Sequence, residues 1–164
     1  MTNKLAKEAS EIPALFVEYW NQRNAAGIAS LFKENAEFVN VVGLWWHNKK
    51  AIEKAHKYGL ETIFKDSTLK LTRVKLRELS KEITVVHAKM NISGQTARDD
   101  IHSPMDRNNI FTFVCSKTEG FWLCEAAHNT DVVPGKETNI VNARGELMAI
   151  DYRKKAISSE CKSI

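Results

Sequence analysis

The stretch STLKLTRVKLREL, Ser67 to Leu79, alternates apolar and polar residues, but the alternation changes phase partway along. Leu69 and Leu71 share one parity, whereas Val74 and Leu76 share the other. A half-buried strand sends successive side chains to opposite faces, so an extra residue near Thr72-Arg73 accounts for the slip. Such a β-bulge bends its strand. A long bent strand belongs to a curved sheet, and a curved sheet needs something packed into its concave side.

The segments that follow supply the rest of the sheet. Ile83 to Gly94 is a second long strand, with Val86, Ala88, Met90 and Ile92 on one face. Gln95 to Asn108 is polar, contains Pro104 and is expected to form a loop. Asn109 to Lys117 and Phe121 to Val132 then form a hairpin across Thr118-Glu119-Gly120. Upstream, Glu37 to Val42 is a further strand, with Phe38 and Asn40 on one face and Gly43 ending it.

The segments before the strands are helical. Ile12, Leu15, Phe16, Tyr19 and Trp20 recur at the spacing of one helix face, with Ser10 as a candidate N-cap and Pro13 in the first turn. A short helix follows, capped by Asn24, burying Ile28, Leu31 and Phe32. Asn48 can cap a third helix, whose apolar face is Ile52, Ala55, Gly59, Ile63 and Phe64, with His56 on the same side. Helices first and a run of long strands afterwards define the α+β class. The expected architecture is a cone: a curved, mainly antiparallel sheet wrapped on one side by three helices. Pro134-Gly135 closes the pattern, giving a domain of residues 1–135 and an extension of residues 136–164. That extension is polar and weakly periodic, and a loose helix, a partner-facing segment or partial disorder all fit it.

Composition narrows the function classes. The 164 residues suit one domain, and 43% hydrophobic with 27% charged is the mix of a globular protein. The net charge of +4 is spread along the chain, densest at Arg153-Lys154-Lys155, and no basic run is interleaved with aromatics, so no nucleic-acid partner is expected. Cys115, Cys124 and Cys161 are odd in number and lack CxxC spacing, which favours free thiols and a cytoplasmic setting. Charges precede any apolar run at the N-terminus, and no stretch approaches the ~20 apolar residues of a membrane span, so neither a leader nor a membrane partner is expected. There are seven glycines but no GxGxxG and no P-loop, so no nucleotide cofactor is expected.

Several residues carry a resemblance. Phe38-Val39-Asn40-Val41-Val42-Gly43, then Trp45-Trp46, Ala51-Ile52 and His56, resemble the SnoaL-like branch of the nuclear transport factor 2-like superfamily. Ile63-Phe64 with Ser67, Gly120-Phe121-Trp122 and the closing His128-Asn129-Thr130-Asp131-Val132-Val133-Pro134-Gly135 extend the likeness over about residues 9 to 135, closest to the SgcJ/EcaC-type group. The resemblance implies a cone-shaped fold, a homodimer through the outer sheet face and a pocket inside. Relatives include polyketide cyclases, ketosteroid isomerases, dehydratases and non-enzymatic association domains. In the isomerase branch the catalytic base is an aspartate where this chain has Asn40, and the phenolic donor falls at Phe16. An amide cannot act as a general base and a phenyl ring cannot donate to an oxyanion, so that chemistry is not expected.

His56 and His128 are the candidate catalytic pair. The resemblance places Trp122, Cys124, Ala126, His128 and Thr130, which share one parity, on the concave side. Two imidazoles facing one cavity can exchange protons with a ligand near neutrality, orient it, or serve as hydrogen-bonded core residues. Asn40, Trp20, Phe16, Phe38, Trp45, Phe64, Met90, Trp122 and Thr130 complete the candidate ligand-binding set. Trp45 and Trp46 cannot both point inward from an extended segment. Glu53 and His56 are too few ligands for a metal, and His47, His87 and His102 do not join them in sequence, so no metal is expected. Three functions stay open: a homodimer binding a flat apolar molecule, a cyclase-, isomerase- or dehydratase-like enzyme using His56 and His128, and an association module.

Overall fold

Helix α1, Ile12–Asn21, buries Ile12, Leu15, Phe16, Tyr19 and Trp20 along one side. Its entry differs from the expectation at Ser10. A short 3-10 turn, Ala9–Glu11, precedes it, and the Glu11 carboxylate accepts from the Lys7 and Glu8 N–H groups at 2.7 and 3.3 Å. Tyr19 ties down the leading segment, its hydroxyl accepting from the Lys4 N–H at 2.6 Å and donating to the Lys4 carbonyl at 3.0 Å. Helices α2, Ala25–Ser30, and α3, Lys49–Glu61, start at asparagine caps: Asn24 accepts from Gly27 N–H at 2.7 Å and Asn48 from Ala51 N–H at 2.9 Å. Each cap satisfies one of the donors that a helix start leaves free. Ile63 lies beyond the end of α3 and is exposed, whereas Phe64 turns back onto Trp20, ring centroids 4.9 Å apart. The structure, a computed structural model, describes residues 3–153.

Six strands make the curved sheet: β1 Phe32–Val39, β2 Trp45–Trp46, β3 Thr68–Glu78, β4 Ile83–Ser93, β5 Arg107–Thr118 and β6 Phe121–Asp131. They lie in the order β2-β1-β6-β5-β4-β3, antiparallel except where β1 meets β6. β1 begins and ends earlier than the sequence pattern suggested, leaving Asn40 in a turn, and β5 begins two residues earlier, at Arg107. The bulge read from the sequence is present, with the β3–β4 register shifting between Leu71 and Arg73. The β5–β6 turn places Glu119 and Gly120 at φ +52° and +85°, the conformation a two-residue hairpin turn requires at both central positions.

A second irregularity was not foreseen. Cys115 pairs with Cys124 and Val114 pairs with Ala126, so Glu125 is an extra residue in β6. Its carboxylate accepts from the Ser116 hydroxyl and pairs with Lys33 of β1, each at 2.5 Å. These two partners hold the Glu125 carboxyl below the usual carboxylate range, the lysine contributing most. Beyond the bulge the facing of every β6 side chain is reversed.

Pairing of β3 with β4 also assembles charge that is dispersed in the sequence. Lys70, Arg73, Lys75 and Arg77 stand exposed on the outer face of β3, with Lys89 opposite Arg73 and His87 opposite Lys75. Between Thr68 and Arg77, and between Val85 and Ser93, the outward positions hold no carboxylate. Among the described residues none of these five lysines and arginines is in an ion pair.

The described chain divides into two compact units, one up to Val132 with all the elements above, and one from Val133 onward. In the second, β7 Thr138–Val141 and β8 Leu147–Ile150 pair as an antiparallel hairpin, so this part of the extension is a strand–turn–strand and not a loose helix. Asn142 holds its turn, accepting from the Arg144 and Glu146 N–H groups at 2.9 and 3.0 Å. The basic pair Lys154-Lys155, Cys161 and the rest of the expected extension lie outside the described residues. Cys115 and Cys124 are free and buried. No helix among the described residues is long and apolar enough to cross a membrane.

Candidate functional site

Between the helices and the concave face of the sheet lies a cavity of about 90 Å³. Phe16 and Trp20 of α1, Phe38 of β1, Trp46 of β2, Phe64 after α3 and Phe111 of β5 form its aromatic walls. Ala55 and Gly59 leave room on the α3 side, and Leu69 and Ile92 close the β3–β4 side. Space of this size holds several waters or one ring, by the ~10–15 Å³ that a single water occupies on this measure.

His56 is the central polar group. Its position on α3 sets its ring among four aromatic rings, with centroids 5.2 Å from Phe38, 5.7 Å from Phe16, 5.8 Å from Trp46 and 6.5 Å from Trp20, all edge-on. Its Nδ1 lies 2.8 Å from the Ile52 carbonyl oxygen, one helical turn back. A carbonyl only accepts, so Nδ1 carries the proton and Nε2 carries a lone pair with no partner among the described residues. Burial pushes the imidazole down to about 4, with the Ile52 carbonyl opposing only in part. His56 is therefore neutral at pH 7, an acceptor and a weak base.

Asn40 sits in the turn between β1 and β2. Its Oδ1 accepts from the Val42 and Leu44 N–H groups at 3.1 and 2.8 Å, which fixes the amide and leaves Nδ2 as the free donor of a residue that lines the cavity. Arg107 enters from the start of β5. Its Nε donates to Gln95 at 2.7 Å and its Nη1 to both Asp131 oxygens at 2.6 and 2.7 Å, leaving Nη2 without a partner among the described residues. Asn109 and Asn129 complete the polar wall, and the Oδ1 of each is buried with no hydrogen-bond partner among the described residues. A buried amide atom left unpaired costs roughly 1–3 kcal/mol, so two beside one cavity mark a place where a ligand or ordered water completes the bonding.

The sequence-derived candidates divide in three. Phe16, Trp20, Phe38, Asn40, His56 and Phe64 line the cavity. Met90 and Trp122 are buried in the core but do not reach the cavity, Trp122 lying beside Ala6, whose carbonyl accepts its N–H at 2.8 Å. His128, Thr130 and Trp45 are exposed. The bulge at Glu125 is the reason for the first two: it turns Ala127 and Asn129 inward and sends His128 and Thr130 to the outer face, beside Thr112 and Ile110. His56 and His128 thus lie on opposite sides of the sheet and cannot form one acid–base pair. Of the adjacent tryptophans Trp46 lines the cavity, and the exposed Trp45 packs against His47, centroids 4.6 Å apart with the planes tilted by 48°.

Arg107, Asn109 and Asn129 were not foreseen. Arg107 lay at the end of what reads as a polar loop, yet it continues the alternation of Asn109, Phe111 and Phe113 by one inward position. That extension was the available signal. Among the described residues, no three His, Cys, Asp or Glu side chains cluster as metal ligands.

No protein-family model matches the sequence, and no curated protein matches it. Solved structures do. An uncharacterised protein with a cystatin-like fold from Caulobacter vibrioides is 25% identical, covers 75% of this chain and 86% of its own, and superposes with a TM-score of 0.69. A putative scytalone dehydratase from Novosphingobium aromaticivorans is 13% identical over 75% of this chain and 80% of its own, TM-score 0.64. An NTF-2 like protein of unknown function from Shewanella oneidensis is 15% identical over 74% of this chain and 94% of its own, TM-score 0.60.

Proposed function

We propose that this chain, which has the fold of nuclear transport factor 2-like proteins, is a small-molecule-binding protein that encloses a flat, largely apolar ring compound. The observation that carries this reading is the coincidence of aromatic walls with unpartnered polar atoms in one cavity. A cavity needed only for packing would be filled or uniformly apolar, whereas ligand sites combine apolar walls with a few polar groups. The narrower kinship with the SnoaL-like branch and its SgcJ/EcaC-type group belongs to the same proposal.

Isomerase chemistry is not part of it. Asn40 spends its oxygen on the turn that holds it, and Phe16 has no proton to give. His56 keeps a second, enzymatic reading alive, because it lines the cavity with Nδ1 already bonded to Ile52, and fold neighbours include a putative dehydratase and a ketosteroid isomerase-like protein. A conjugate acid at about 4 makes it a weak proton acceptor, so binding is the favoured role.

Ala55→Phe tests the cavity. A phenyl ring built from the α3 wall should fill the space, and thermal shifts produced by phenol or 2-naphthol in the parent protein should vanish in the variant. Equal shifts in both proteins, with circular dichroism unchanged, would place the binding elsewhere.

A homodimer through the outer sheet face is the proposed assembly. Ile110, Thr112 and Val114 of β5 with Ala126 and Thr130 of β6 are uncharged there, whereas the β3–β4 side is cationic, so the contact centres on β5 and β6. Ile110→Asp places a carboxylate in that centre and should convert a dimer to a monomer in analytical ultracentrifugation. A mass that the substitution leaves dimeric would exclude this face.

A further inference from the structure

The unpartnered atoms of the cavity differ in hydrogen-bonding sense, and the difference is fixed by the protein itself. His56 can only accept there, because Ile52 already holds its proton at Nδ1. Asn40 can only donate, because two backbone N–H groups occupy its oxygen. Arg107 can only donate, through Nη2. Asn109, just 4% exposed, adds an amide whose oxygen has no partner among the described residues.

These groups are also separated along the cavity. His56 packs against Phe38, which meets Phe111 with centroids 6.3 Å apart. Arg107 lies two inward positions before Phe111 on β5, about 13 Å along the strand at ~3.3 Å per residue. The reach of the arginine shortens that gap towards the length of one substituted ring. Charge at the donor end is already balanced, since the Asp131 carboxylate takes two bonds from Arg107 Nη1. A second carboxylate would crowd like charge beside Asp131 in a setting of low dielectric. An uncharged carbonyl oxygen accepts the same bonds without that cost.

We propose that the ligand of this cavity is a neutral hydroxyaryl carbonyl compound, its hydroxyl donating to His56 Nε2 and its carbonyl accepting from Arg107 Nη2 and Asn40 Nδ2. This deepens the ring-binding reading and rests on it. The ring lies between Phe16, Phe38, Trp46 and Phe111, and the hydroxyl end is the deeper one. Asn109 accepts from any further hydroxyl on the ring.

Isothermal titration calorimetry of the full-length protein with phenol, acetophenone, 4-hydroxyacetophenone and 4-hydroxybenzoate tests the proposal. 4-Hydroxyacetophenone is expected to bind at least tenfold tighter than acetophenone, which lacks the donor, and than 4-hydroxybenzoate, which replaces the ketone by a charge. His56→Phe should erase the preference for the hydroxyl, and Arg107→Met the preference of 4-hydroxyacetophenone over phenol. If either substitution unfolds the chain, the other still decides, and the ligand series on the parent protein needs neither. Equal affinities across the series, or tighter binding of 4-hydroxybenzoate, would overturn this assignment while leaving a ring-binding cavity. If no compound binds, the cavity reading itself fails and this assignment with it.

Discussion

Phe16→Ala is expected to lower the unfolding free energy by roughly 3–5 kcal/mol, the range for truncating a buried phenylalanine. Phe16 is fully buried and joins most of the aromatic interior, with ring centroids 5.3 Å from Phe111, 5.9 Å from Phe113, 5.7 Å from His56 and 6.2 Å from Trp20. Removing it takes away transfer free energy and also the ring–ring contacts, stacked with Trp20 and edge-on or tilted with the others, which add about 0.5–1.5 kcal/mol per well-placed pair. Because one side of Phe16 borders the cavity, the void left behind joins space already present, so the loss should sit toward the lower end of the range. Urea denaturation followed by tryptophan fluorescence measures it. A loss below about 1 kcal/mol would mean that the α1 interior is loosely packed, contrary to the ring geometry.

The second large effect is acid sensitivity from His56. Its ordinary value of 6.5 applies to the unfolded chain, and burial brings it down to about 4 in the folded one. The folded state therefore prefers the neutral ring. Above pH 6.5 both states are deprotonated and the full stability is present; as pH falls from 6.5 towards 4, only the unfolded chain takes up the proton, and stability drains away. With ~1.36 kcal/mol per unit of difference, the loss amounts to roughly 3 kcal/mol across that window. His56→Gln removes the titration. Whatever its effect on overall stability, the variant should show a flatter dependence between pH 6.5 and 4 than the parent, and parallel curves for the two proteins would contradict a buried neutral imidazole.

The fold was legible where local chemistry announces it. Asn24 and Asn48 stand before apolar periodicity and cap the helices they suggest, and the change of phase from Leu71 to Val74 marks the β3 bulge. The helix side of the site was equally legible, since Phe16, Trp20 and His56 follow from helical spacing. The β6 side was not. From Phe121 to Asp131 the residues after Glu125 are two alanines followed by four polar residues, so neither facing is favoured by hydrophobicity. The partners that hold the bulged Glu125 are Lys33, on a strand remote in sequence, and Ser116. A tertiary ion pair of that kind leaves no periodic trace, so the parity that the resemblance places on the concave side holds only up to the bulge, and His128 lies beyond it. Asn40 shows the complementary limit: its place at the cavity was readable, but the backbone bonds that fix it as a donor depend on the turn between β1 and β2.

Strand β3 ends the sheet, so its far backbone edge has no neighbouring strand among the described residues. An open edge invites a strand of another molecule to add on, the route by which sheets polymerise. Lys70, Arg73, Lys75 and Arg77 crowd that border with positive charge, and a second molecule approaching with the same edge would bring an equal row within the ~8 Å over which charges still feel each other at physiological ionic strength. Mutual repulsion guards the exposed border in dilute buffer, and concentrated salt lifts that guard.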